Sequence, residues 1–247
     1  YYVFRSSANE EVVVGKDAWL YLTETFTSPV LPDKDLGLIV DRLQNLALSL
    51  ESSGSKLVFS VVPDKKTVYP EYLPGRLSIL EGENLLALRK VVEAGGFDFE
   101  FYDLSEYFID LKQDLMLYSP QDTHWNRYAA YLAYRLLTSG EEVELADKQT
   151  YSRAGDLSRL IGLNSVEETW EPVIDFSQAS DFSALLFIDS FGEGLLPFFR
   201  EEFSVVDNHH VMEVCPFSFE YSGKEDFVLV QIAERDLWVL ASSYCEL

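Results

Sequence analysis

The chain has 247 residues and a net charge of −23, from 19 Lys and Arg against 42 Asp and Glu, with 47% hydrophobic and 14% aromatic residues. That apolar content suffices for a packed core at this length, which excludes a disordered chain and allows one domain of ordinary size. So negative a surface, without any Lys/Arg cluster, would repel a nucleic-acid backbone or an anionic membrane, and neither is the expected partner.

The opening YYVFRSSANEE has no Met, basic flank or apolar signal core, and reads as the interior of a longer protein. Two β-rich runs in VVVGKDAWLYL meet at a Gly-Lys-Asp turn, predicting a hairpin within residues 1–32, closed by Pro29 and Pro32. Leu36, Ile39, Val40, Leu43, Leu46, Ala47 and Leu50 recur at three-and-four spacing, so residues 33–53 read as an amphipathic helix ended by Ser52-Ser53-Gly54. The short β-branched run at 57–63 predicts a buried strand. Further on, a helix is expected over 81–94, a strand over 99–104 and a helix from Trp125 to Ser139, stopped by Gly140. Periodicity weakens over 141–180, where acidic residues accumulate, and an irregular insertion is expected there. SALLFID at 183–189 is the clearest buried strand, followed by a helical stretch through PFFREEF and strands at 203–207 and 227–233. No run approaches the roughly 18 apolar residues of a membrane span.

Strands alternating with helices imply an α/β fold: a mostly parallel sheet with helices on both faces, spanning 1–247 as a single domain. In such a sheet a ligand lies outside the carboxyl ends of the strands, which makes the segments after each strand the places to look for chemistry.

Two segments stand out. Ser190, in Asp189-Ser190-Phe191-Gly192, sits where an apolar strand meets a turn; its hydroxyl would project from the strand tip beside turn N–H groups able to face an oxyanion. A serine needs a base, and the chain has only three histidines, at 124, 209 and 210. His124 follows Asp122 by two residues, a spacing that lets the carboxylate fix the imidazole tautomer. The competing reading makes Ser190 a turn residue and Asp122 or Thr123 a helix cap. His209 and His210 are adjacent on a predicted strand, face opposite ways and lack a surrounding ligand cluster, so no metal or other cofactor is expected. Cys215 and Cys245 have no zinc-ribbon or CxxC spacing; a disulfide and two buried thiols both remain open.

Taken in order, GKDAWLYL, VVPDKKTVYPEYLP, SPQDTHWN, GDLSRLIGL, IDSFGEGLLPFF and VLVQIAERDL resemble the alginate O-acetyltransferase-like family of SGNH hydrolases, including the AlgJ/AlgX-like and DHHW proteins. The resemblance runs from residue 15 to 237. It implies a three-layer SGNH-like domain with Ser190 as nucleophile, His124 as base and Asp122 as its orienting carboxylate, in a permuted chain order. The oxyanion donors would be the N–H of Ser190, supported by Gly192. It further implies an exported or cell-surface protein, anchored by an N-terminal segment outside this chain, that transfers acetyl groups to polysaccharide hydroxyls, served by an acetyl donor and a membrane-embedded acyltransferase partner. An acetyl-esterase using the same triad and a silent glycan-binding module are the alternatives. Tyr69, Tyr72, Tyr118 and Tyr128 flank the motif segments. With Trp125 they are candidates for stacking on sugar rings, the other reading being core residues with one polar end. The family usually has Gly before Asp-Ser; here that residue is Ile188, expected to tighten the strand end. The negative charge favours a neutral glycan.

Overall fold

The computed structural model describes residues 10–75, 77, 83–140, 145–174 and 180–245. Strands β1 (Val12–Val14) and β2 (Leu20–Leu22) form the antiparallel hairpin, pairing Val12 with Leu22 and Val14 with Leu20. The turn demands left-handed backbone at Asp17 and Ala18, φ 51° and 65°. Helix α1 (Asp33–Glu51) follows Pro32, with Asp33 and Asp35 facing the positive end of its dipole. It ends where Gly54 adopts φ 76°.

Next come β3 (Lys56–Val62), α2 (Lys65–Val68), α3 (Glu83–Ala94), β4 (Glu100–Asp103) and α4 (Leu104–Leu111). Residues 81–82, where the helix was expected to begin, lie outside the described residues. Helix α4 is not predicted by periodicity, but Asp103 caps it by accepting from Ser105 N at 2.8 Å, and Glu106 completes a D-x-x-E start signal. Helix α5 (Arg127–Ser139) starts two residues later than expected. Its cap is Asn126, which accepts from Ala129 N at 2.9 Å, so neither Asp122 nor Thr123 serves that purpose.

Residues 148–172 are ordered, in contrast to the irregular insertion expected over 141–180. Strands β5 (Lys148–Ala154) and β6 (Val166–Pro172) pair antiparallel around α6 (Asp156–Leu160). Both strands are mostly polar, β5 largely exposed and β6 largely half-buried, so they lack the apolar alternation that would have revealed them. Residues 141–144 and 175–179 lie outside the described residues. The chain continues through β7 (Ser180–Ile188), α7 (Leu196–Glu202), β8 (Phe203–His210), β9 (Phe227–Ala233) and α8 (Trp238–Ala241).

The central sheet has five strands in the order β4-β3-β9-β7-β8, all parallel. Alternate residues feed two cores, as the pleat requires. Val58, Val62, Leu186, Ile188 and Leu229 face α4, α5 and α7, while Leu57, Phe59, Leu185, Phe187 and Val230 face α1, α3 and α8. This is the three-layer α/β architecture expected. Ala129, Ala130 and Ala133, all fully buried, let α5 approach the sheet closely. The strands' carboxyl ends therefore meet the start of α5, which brings the segment before that helix to the site.

Cys215 and Cys245 form a disulfide across 30 residues, tying the segment after β8 to the last described turn. Closing a loop of that length restricts the unfolded chain by roughly 3–4 kcal/mol in the chain-entropy account. Reduction under non-denaturing conditions is expected to lower the urea midpoint accordingly, and an unchanged midpoint would show that the bond contributes nothing to stability.

Candidate active site

Ser190 stands two residues beyond the tip of β7, in a turn held by Asp189. That buried carboxylate accepts from Phe191 N at 2.9 Å and Gly192 N at 3.3 Å through Oδ1, from Gln231 Nε2 at 2.9 Å, and from Ala233 N at 2.6 Å through Oδ2. Four donors on one carboxylate clamp the turn to β9. This corrects the expected role of Gly192: its N–H is taken by Asp189, so it does not face an oxyanion. The Ser190 N–H has no acceptor among the described residues and is the turn's open donor. What Gly192 supplies is space. A Cβ there would fall 2.3 Å from both the Ile188 Cβ and Gln231 Oε1. Ile188 is buried beneath the turn and packs toward α5.

His124 reaches Ser190 from the segment before α5. Its Nε2 lies 3.0 Å from Ser190 Oγ, and its Nδ1 lies 3.2 Å from Asp122 Oδ1. Asp122 Oδ1 also accepts from the His124 backbone N–H at 2.9 Å, an Asx turn that holds the two residues in one unit. Arg153 Nε, from β5, sits 3.0 Å from the other Asp122 oxygen, as an ion pair without hydrogen-bond alignment. The structure thus brings together Ser190, His124 and Asp122. It adds a residue that sequence reading left without a role: Asp156 Oδ2 lies 3.3 Å from the same His124 Nδ1.

Burial disfavours the imidazolium, but hydrogen bonds and charge from Asp122 and Asp156 outweigh it, and the His124 pKa rises to about 9. Asp156 moves the other way, to about 2, because its contacts with His124 and the Thr123 N–H overcome its own desolvation. Asp122, His124 and Asp156 place ligand-type atoms within 4.8 Å of one another. An ion there would have to replace the Nδ1 proton; read as hydrogen bonds, the same distances leave Nε2 to accept from Ser190.

Lys65 was also missed. This buried ammonium donates to the carbonyls of Ser119, Pro120 and Asp122 at 3.2, 3.0 and 2.7 Å, matching its three N–H groups to three acceptors of one loop. Burial brings its pKa down to about 7, against the pull of Asp156, Asp122 and Glu167. Its signal lay in the strand-turn block ValProAspLysLys, read for its pattern and not for a buried amine.

The aromatic candidates for sugar stacking are placed elsewhere. Tyr69, Tyr118, Trp125 and Tyr128 are each no more than 5% exposed, which leaves no face for a ligand. Tyr118 donates to Pro63 O at 2.6 Å and Trp125 to Phe191 O at 3.0 Å, so they brace the site from behind. Tyr69 accepts from Leu117 N at 2.9 Å, and half-buried Tyr72 stacks on Trp19 with ring centroids 4.3 Å apart. His209 stacks on Phe187 at 5.6 Å and His210 Nδ1 accepts from Met212 N at 3.3 Å, at the sheet's β8 edge.

Residues 12–184 match the family described as SGNH hydrolase-like domain, acetyltransferase AlgX. The chain belongs to that family. The matched segment contains Asp122, His124 and Asp156, and Ser190 follows six residues beyond its end. A probable alginate O-acetylase AlgJ of Pseudomonas syringae pv. tomato is 32% identical over 130 residues, which are 51% of this chain and 32% of that protein. Matches to the AlgJ relatives cover only 16 to 34% of those proteins' own lengths. In fold, the chain resembles the O-acetyltransferase domain of Pseudomonas putida AlgJ, with TM-score 0.61 and 21% identity over 92% of each chain. It also resembles Bacillus cereus PatB1, with TM-score 0.62 and 16% identity over 92% of this chain and 96% of that one.

Proposed function

We propose that this family member is a polysaccharide O-acetyltransferase working through an acyl-serine. The observation that carries the reading is the continuous 3.0 and 3.2 Å path from Ser190 Oγ through the imidazole to a buried carboxylate, at the carboxyl edge of a parallel sheet. His124 Nε2 takes the Ser190 proton as Oγ bonds to the acetyl carbonyl carbon; the oxyanion meets the Ser190 N–H; the imidazolium then protonates the leaving group. In the second half, His124 takes a proton from a sugar hydroxyl as its oxygen bonds to the acyl carbon; the acyl carbon–Oγ bond then breaks, and the imidazolium returns the proton to Ser190 Oγ. Asp122 holds the ring and balances its charge.

A cleft of about 340 Å³ lies beside the nucleophile turn at the carboxyl ends of β7 and β8; Glu193, Arg200, Asn208 and His210 are among its lining residues, and Ser190 and His124 are not. Its polar groups suit sugar hydroxyls, and the overall charge favours a neutral glycan. The disulfide and the family together support an exported protein, with a membrane-bound acyltransferase as the source of acetyl groups. One observation favours acetyl-ester hydrolysis as a second reading: Ser190 is half-buried and the His124 side chain is 22% exposed, so water can reach the acyl-serine.

The test is to supply an acetyl ester donor with a panel of neutral and anionic oligosaccharides, and follow products by mass spectrometry. Acetylated sugar supports transfer; free acetate alone, at a rate no sugar alters, assigns the protein to hydrolysis. Because the neutral imidazole is the base and its pKa stands near 9, kcat/KM is expected to rise about tenfold per unit from pH 7 and level off around pH 9. A profile already flat at pH 7 would contradict that assignment.

A further inference from the structure

We infer that Asp156 is a positioning residue whose carboxylate, placed beside Asp122 against the same ring nitrogen, sets the basicity of the His124 imidazole. The inference rests on the reading of His124 as the base, and its geometry is independent of Asp122. Asp156 Oδ1 accepts from Thr123 N at 2.6 Å and from its own neighbour Leu157 N at 2.7 Å, which orients the carboxylate and pins the middle residue of Asp122-Thr123-His124. The other oxygen, Oδ2, faces the ring at 3.3 Å. One carboxylate thus holds the loop with one oxygen and the base with the other.

The two carboxylates beside Nδ1 are not redundant: Asp122 is its hydrogen-bond partner, Asp156 faces it as an ion pair, and their surroundings differ. Asp122 is 1% exposed, and its charge is already shared with Arg153 from β5 and the His124 backbone N–H. Behind it, Lys65 from α2 holds the Asp122 carbonyl. Among the described residues Asp156, with a side chain 29% exposed, makes its direct ion pair with the ring alone, and Lys65 acts on it only through space. It thus lacks the direct arginine partner that Asp122 has, and its Oδ2 is left facing the imidazole. The remaining groups around the ring are the Ser190 hydroxyl and the Phe191 ring, with centroid 4.9 Å from that of the imidazole, and Glu167 stands further back on β6, bonded to Gln121 N at 3.0 Å. None of these supplies a second negative charge at hydrogen-bond distance from Nδ1.

The roles of pin and charge separate by substitution. Asp156→Asn keeps an oxygen for the Thr123 N–H and removes the charge; Asp156→Ala removes both. The His124 imidazole is titrated by NMR in the wild type and both variants, alongside kcat/KM against pH and a melting curve. We expect the NMR midpoint, and the acidic limb of kcat/KM, to fall by about one pH unit or more in both variants, as loss of a close opposite charge requires. The melting temperature should fall further in Asp156→Ala than in Asp156→Asn. A midpoint that moves by less than a few tenths of a unit in Asp156→Asn overturns the inference and leaves Asp156 a loop pin. The NMR titration needs no turnover. A shifted midpoint in a protein without Ser190-dependent activity would therefore sink the acyl-serine reading while leaving the control of imidazole basicity standing.

Discussion

Ser190→Ala is expected to reduce acetyl-ester turnover by roughly 10⁴-fold or more, the scale on which removal of an activated serine acts in serine hydrolases. The folded state should be unaffected. Ser190 is half-buried, and its turn is held by the four donors on Asp189, none of which is the Ser190 hydroxyl. His124→Ala should fall to the same floor, and the double variant no lower, because nucleophile and base act as one unit. Strict additivity of the two losses would mean that the residues work in separate steps. The comparison is made by initial rates on an activated acetyl ester, at a pH near 9 where wild-type His124 is substantially neutral.

Arg235→Met is expected to destabilise the fold by about 3–5 kcal/mol, the cost of breaking a buried ion pair from one side. Arg235 Nη1 lies 2.7 Å from Asp64 Oδ1, with side chains 8% and 1% exposed. The two residues follow the neighbouring parallel strands β9 and β3, so the pair ties the carboxyl edge of the sheet together. The guanidinium also lies over the Phe191 ring at 5.3 Å, which links this tie to the nucleophile turn. At this chain length the loss corresponds to a fall in melting temperature of roughly 6–20 °C. Adding Asp64→Leu should recover part of it, since the stranded carboxylate is then gone. If the single variant melts like the wild type, Asp64 is not held charged by Arg235.

The inner strands of the sheet were legible because β3, β9 and the second half of β7 are buried on both faces and so read as short apolar runs; 183–189 and 227–233 are the clearest cases. Helix α1 was legible from its apolar stripe. The link between Asp122 and His124 was legible for a different reason: it is local, two residues apart, and needs only an Asx turn. Asp156 was not, since its meeting with His124 depends on β5 and β6 folding back over the start of α5, and those strands carry a polar surface without an apolar period. Lys65 was hidden by the usual preference of lysine for solvent. The aromatic residues misled because sequence shows a ring beside a motif but not which side of it faces out. For the cysteines, pairing is a distance in space, and a spacing of 30 residues contains no record of it.

In the proposed reaction Ser190 carries the acyl group. This is tested most directly by mixing the protein with an activated acetyl ester, quenching in acid within the pre-steady state, and locating the modification by peptide mass spectrometry. One added acetyl group is expected on the peptide containing Ser190 in the wild type and none in Ser190→Ala. An acetyl group that appears on another side chain, and turns over at the steady-state rate in Ser190→Ala, would contradict that role.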